Sequence, residues 1–107
     1  MQVIIMIVKV DEENFVYEVI ESPMPVLVEF YALWCGKCAM MEDVVTEFAA
    51  EHEGRIKVCQ IDSERSESLA GRFGVEKVPT FVVFRAGKPV RSMTGVVAGK
   101  VLEKLFE

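Results

Sequence analysis

Two thiols stand three positions apart in Cys35-Gly36-Lys37-Cys38. They follow directly on Val26-Leu27-Val28-Glu29-Phe30-Tyr31-Ala32-Leu33-Trp34, an apolar stretch whose only charged residue is Glu29. Such a pair serves three kinds of chemistry: half of a metal site, a structural staple, or a reversible dithiol–disulfide couple. The staple is the weakest reading, because closing a four-residue loop restricts the unfolded chain very little. Structural zinc usually takes four ligands from Cys and His. Beyond the pair the sequence offers only Cys59 and His52. Cys59 falls inside a strand-like stretch. His52 lies near the far end of the helix that Cys38 begins, about 20 Å away at 1.5 Å rise per residue. One chain therefore lacks the ligands for an intrinsic metal site, and only a metal or cluster shared between two chains stays open.

A redox couple needs a thiolate, since the thiolate is the attacking form. Cys35 sits where a strand-like run gives way to a helix-like one, and Cys38 falls within the first helical turn. Unpaired backbone N–H groups and the helix dipole favour negative charge there. Lys37 adds a nearby cation, exposed and therefore screened by salt. The i, i+3 spacing brings the sulfurs within bonding reach, and Gly36 leaves the approach uncrowded. The geometry fits a reversible couple.

The surrounding elements follow from apolar periodicity. Met1 to Val8 reads as a buried first strand. Asp11 is a candidate N-cap for a helix carrying Phe15, Val16, Val19 and Ile20, which Ser22-Pro23-Met24-Pro25 ends. Val26 to Tyr31 is a nearly continuous apolar run, as in a strand covered on both faces. Met41, Val44, Val45 and Phe48 recur at helical spacing, with Gly54 as a stop. Ile56 to Ile61 reads as a strand. Ser63 is a candidate cap for a short helix with Leu69, Ala70 and Phe73, closed by Gly74. Thr80 to Phe84 and Val90 to Met93 flank a hairpin loop over 85–89. A last helix sets Val101, Leu102, Leu105 and Phe106 on one face. The order β-α-β-α-β-α-β-β-α predicts an α/β protein with a mixed sheet covered by helices.

The chain has 107 residues and 51% hydrophobic residues, enough for one domain over 1–107 with a real core. A net charge of −5 argues against nucleic acid as a main partner, because phosphate binding needs a basic face. The apolar start is far shorter than the roughly 20 residues of a membrane span, and it lacks a basic segment before it. We therefore expect no membrane partner and an intracellular, cytoplasmic protein. Three cysteines, one pair and one distant, suit a reducing compartment.

The segment VLVEFYALWCGKC, Val26 to Cys38, resembles the strand and active-site turn of the thioredoxin family. Val75-Glu76-Lys77-Val78-Pro79-Thr80 is similar to that family's cis-proline loop, and Gly87 and Gly95 match glycines of its closing hairpin and the strand beyond. The resemblance covers essentially the whole chain, in order. It implies a thioredoxin fold with a mixed central sheet of about five strands flanked by about four helices. The implied activity is reduction of protein disulfides by dithiol–disulfide exchange, with no cofactor beyond the Cys35–Cys38 disulfide. Disulfide-containing proteins would be the substrates, and a thioredoxin-reductase-type enzyme would supply the electrons to a monomer. Whether that donor is an NADPH-linked flavoenzyme, a ferredoxin-linked enzyme or glutathione is not legible in the sequence, nor is the reduction potential.

Carried over residue by residue, the resemblance makes Cys35 the nucleophile and Cys38 the buried resolving thiol. Trp34 would line the substrate surface, Pro79 would be cis, and the Val78 backbone would pair with an extended substrate segment. Gly36, Lys37 and Gly95 would support the site. Glu29 stands where thioredoxins usually carry Asp. Its apolar neighbours point to burial, which raises a carboxyl pKa, so it is expected to accept and return the Cys38 proton. Lys37 replaces the proline familiar between the cysteines. A cation there stabilises the thiolate, and stabilising the reduced form makes a couple more oxidising. Asp43 takes the place of a helix-kinking proline, so the helix after the cysteines is expected to be straighter. Lys77 replaces a small residue and would favour acidic partners. Cys59 and the pair Met40-Met41 read as core, His52 as an ordinary helix-end residue, and Glu42, Asp43, Glu47 and Glu51 as a solvated helix face. Two other readings stand beside the reductase: a binding or scaffold module on the same fold, and a more oxidising oxidase or isomerase.

Overall fold

In a computed structural model that describes residues 7–107, the run Val26–Tyr31 forms β2, the centre of a five-stranded mixed sheet. Around it stand β1 (Ile7–Val10), β3 (Lys57–Asp62), β4 (Thr80–Arg85) and β5 (Lys88–Thr94), in the order β1-β3-β2-β4-β5. β1 and β2 both run parallel to β3, while β4 runs antiparallel to β2 and β5 to β4. Val26 to Phe30 are all buried, as expected of a strand covered on both faces. The expected first strand lies partly outside the described residues. Its described part, with Lys9 exposed, is an edge strand rather than a buried one.

Two cores follow from the alternation of side chains along the strands. On one face Val26, Val28 and Phe30 meet Phe15, Val19, Leu69 and Phe84. On the other, Leu27 meets Met41, Val45, Phe48, Phe81 and Leu102. The helices are α1 (Gly36–Met40), α2 (Glu42–Glu51), α3 (Glu67–Arg72) and α4 (Gly99–Lys104), together with a π-helical segment, Val16–Ile20. The π-helical segment replaces the first expected helix. Its register shows in the Glu21 N–H bond to the Val16 carbonyl, 2.8 Å. Asp11 caps its approach: the carboxylate accepts from the N–H groups of Glu13 at 2.9 Å and Asn14 at 3.3 Å.

Three further expectations need correction. The helix after the cysteines is divided at Met41 rather than straightened. The Met41 N–H turns back to the Cys38 carbonyl at 3.0 Å, and its buried Sδ accepts the Val97 N–H at 3.4 Å. The break falls at this tertiary anchor, and no proline marks it. Ser63 does not cap α3; its hydroxyl donates to the Tyr31 carbonyl at 3.0 Å, and Asp62 accepts the N–H groups of Glu64 and Arg65 instead. The hairpin is tighter than a five-residue loop, since Arg85 pairs with Lys88 across Ala86 and Gly87. Both turn residues have positive φ (50° and 78°), the requirement of a two-residue turn that matches strand twist. A side chain at Gly87 would also meet the Ile20 carbonyl oxygen at 2.9 Å.

Candidate active site

β2 delivers the chain to Cys35, which caps α1 in an extended conformation, φ −110° and ψ 109°. Its Sγ accepts the Cys38 N–H at 3.1 Å. This backbone donor answers one of the unpaired N–H groups of the helix start, and in the reduced form it would stabilise a thiolate at the same sulfur. Cys35 and Cys38 form a disulfide with a Cα–Cα separation of 5.2 Å. Cys35 is half-buried, whereas Cys38 is only 7% exposed. The pair is therefore asymmetric, with one sulfur reachable and one sheltered.

Across the disulfide lies the loop before β4. Val78–Pro79 is cis, and the Cys35 Sγ lies 3.8 Å from the Val78 carbonyl oxygen. The loop is fastened from two sides. The Thr80 hydroxyl donates to the Lys77 carbonyl at 2.6 Å, and the Gly95 N–H donates to the Pro79 carbonyl at 2.8 Å. Gly95 has φ +107°, a conformation that side chains disfavour, which accounts for glycine at this position. Trp34 is 95% exposed, so it is not core filler, and Leu33 beside it is exposed as well. Gly36, Lys37 and Lys77 are exposed too.

Glu29 is 2% exposed and lines a cleft of about 370 Å³ with Cys35 and Cys38. Burial raises its carboxyl above the ordinary range. A hydrogen bond from the Gln60 side chain (2.8 Å) and the charge of Lys9 lower it, and Glu42 raises it further. A carboxyl held this way can store a proton beside the disulfide.

The remaining candidates stand apart. Cys59 is fully buried on the opposite face of the sheet, where desolvation pushes its thiol up to about 12. Met41 is core as expected, but Met40 is 67% exposed. His52 is more than a helix end. It packs on Phe48 with ring centroids 4.2 Å apart and sits between Arg55 and Glu103. With Glu51 and Glu103 it forms the one described cluster of metal-ligand type. Its Nδ1 faces the Arg55 guanidinium at 3.4 Å, while its Nε2 is buried 3.4 Å from a Glu103 carboxylate oxygen without making a hydrogen bond. Glu42, Asp43, Glu47 and Glu51 are exposed, as a solvated face requires. Sequence reading missed Gln60, which donates to Glu29, and Lys9, which donates to Gln60. Their signal was only a polar interruption in each strand, and the pairing that aligns them is not visible in the sequence.

A mixed sheet that feeds an asymmetric Cys pair into a helix start, opposite a cis-proline loop, defines the thioredoxin-fold class of thiol–disulfide oxidoreductases. Comparison with known proteins agrees. The family model described as Thioredoxin matches residues 6–107. The chain is 36% identical to Thioredoxin 1 of Nostoc sp. over 99 residues, covering 92% of each protein. It is 39% identical to Thioredoxin of Pyropia yezoensis over 94 residues, 88% of each. It is also 40% identical over 90 residues to the chloroplastic Thioredoxin M4 of Arabidopsis thaliana, covering 84% of this chain and 47% of that protein. The chain belongs to the thioredoxin family. Its activity is thiol–disulfide exchange of the protein-disulfide reductase type.

Proposed function

We propose that Cys35 is the nucleophile and Cys38 the resolving thiol of a reductase acting on protein disulfides. The observation that carries this reading is the unequal exposure of the two sulfurs at one helix start. The Cys35 thiolate attacks one sulfur of a substrate disulfide; that S–S bond breaks, and the departing substrate thiolate takes up a proton. Cys38 then yields its proton to the Glu29 carboxylate and attacks the Cys35 sulfur. The mixed disulfide breaks, and the second substrate thiolate leaves and is protonated in turn. Two electrons pass from the dithiol to the substrate, and the protein is left as the Cys35–Cys38 disulfide. A reductase-type donor returns two electrons and two protons.

Trp34 and the Val78–Pro79 backbone form the substrate surface in this reading, with Gly36 and Gly95 keeping the approach open. Their placement around the Cys35 sulfur supports it. Lys37 tunes the potential through its charge. Residues 1–107 act as one domain, supported by the single continuous sheet among the described residues, and in this reading as a monomer. In this reading the compartment is the cytoplasm, a reducing environment in which the dithiol stays in its working form. Among the described residues no helix is long and apolar enough to cross a membrane. The test is insulin disulfide reduction with a dithiol donor. Wild type accelerates it, Cys35→Ser abolishes it, and Cys38→Ser accumulates mixed disulfides with substrate. A Cys35→Ser variant of wild-type activity overturns the assignment of the nucleophile.

A further inference from the structure

The register of the sheet places Lys9, Gln60 and Glu29 in one row across three adjacent strands. Lys9 of β1 pairs with Gln60 of β3, which pairs with Glu29 of β2. Neighbouring strands lie about 4.8 Å apart, so side chains on one face of such a row can touch. These three do. The Lys9 ammonium donates to the Gln60 Oε1 at 2.7 Å, and the Gln60 Nε2 donates to the Glu29 Oε1 at 2.8 Å. Lys9 is held further by Tyr31, with its Nζ 4.6 Å from the ring centroid.

The order of donors and acceptors has a consequence. An ammonium only donates, so it accepts contact only from the oxygen of the Gln60 amide. That fixes which end of the amide meets Glu29, namely the N–H end, which bonds best to a carboxylate. Without Lys9 the amide is free to turn over. Its oxygen would then face Glu29 and suit only the protonated carboxyl. Lys9 and Gln60 line the same cleft as Glu29, Cys35 and Cys38. The other titratable groups there are Tyr31 from β2 and Glu42 from α2, while the register neighbour from β4 is the apolar Phe81.

We propose that Lys9 and Gln60 are positioning residues for thiol exchange. Lys9 locks the Gln60 amide with its N–H on Glu29 and so keeps that carboxyl ready to receive the Cys38 proton. The inference rests on the Glu29 role given above. It adds that an exposed lysine on the edge strand controls a proton transfer beside the disulfide.

The test compares Lys9→Met, which keeps the aliphatic stem and loses the donor, with Lys9→Arg, which keeps a donor. Lys9 is exposed on an edge strand, so both variants are expected to fold. Two readouts are taken: titration of the Glu29 carboxyl by carbon-13 NMR in the oxidised protein, and the pH dependence of insulin reduction. Lys9→Met is expected to move both upward together by about one pH unit, the scale of losing one charged or hydrogen-bonded neighbour. Lys9→Arg restores both, and in a Glu29→Gln background Lys9→Met no longer alters the pH–rate profile. A Glu29 titration unmoved in Lys9→Met overturns the inference and leaves the Glu29 role standing. A Lys9→Met effect that persists in the Glu29→Gln background does the same. A titration that moves under an unmoved pH–rate profile overturns the Glu29 role itself, and the inference with it.

Discussion

Replacing Glu29 with Gln preserves the length of the side chain and removes its titration. The carboxyl is 2% exposed, and burial holds it above the ordinary range, opposed by Gln60 and Lys9 and reinforced by Glu42. In the unfolded chain it titrates near the usual value of about 4.3. Between the two pKa values the folded state keeps a proton that the unfolded state has lost, so unfolding releases one. Stability from this residue is therefore full below the unfolded pKa. It falls as pH rises and levels off above the folded pKa. The slope in that window is the one-proton slope, about 1.4 kcal/mol per pH unit. The expected result is that oxidised wild type and Glu29→Gln run parallel near pH 4 and diverge above it. At pH 8 the variant gains about 1.4 kcal/mol for each unit by which folding raises the carboxyl. For a chain of this length each kcal/mol corresponds to about 4 °C in Tm. Urea unfolding from pH 4 to 9 measures it. The oxidised protein is the right form, because neither Cys35 nor Cys38 then carries a thiol proton. A difference that does not change with pH refutes the argument that Glu29 is buried with a raised pKa. The same variant should lose speed while gaining stability, with the resolving step about tenfold slower or more, because the proton acceptor is gone.

Trp34→Ala should change stability by less than about 0.5 kcal/mol, since the side chain is exposed. It should raise KM for a protein substrate while leaving reaction with a small disulfide nearly unchanged, which steady-state kinetics with both substrates will check. Cys59 should resist alkylation in the native protein and react only after unfolding, as its burial and raised thiol pKa require; mass spectrometry after iodoacetamide reads this directly. Gly87→Ala should cost more than about 1 kcal/mol in denaturant unfolding, because the position combines positive φ with a close backbone oxygen.

The parts of the fold written in local pattern were legible. Val26–Tyr31 was readable as a central strand from its unbroken apolar run, and Asp11 as a cap from its place before the Phe15 helix. The cysteine pair and the likeness to thioredoxins brought out Cys35, Cys38, Val78, Pro79 and Gly95, which the fold gathers around one sulfur. What stayed hidden depended on tertiary contact. The break in the helix at Met41 has no proline to announce it and shows only in contacts such as the Met41 Sδ with the Val97 N–H. Ser63 had the right chemistry for a cap, but the nearby Tyr31 carbonyl took its hydroxyl. Lys9 reaches Gln60, and Gln60 reaches Glu29, only because parallel pairing aligns three strands distant in sequence.

Cys35 and Cys38 are proposed to form a couple poised to reduce other proteins. The reduction potential of that pair, set against glutathione buffers and read by thiol alkylation, tests it most directly. It also shows what Lys37 does, since a cation that stabilises the Cys35 thiolate favours the reduced form and makes the couple more oxidising. The expected value is close to the roughly −270 mV of thioredoxin, with Lys37→Pro shifting it by far less than the distance to an oxidase. A value near about −120 mV would rule out a reductase and make the protein a disulfide donor instead.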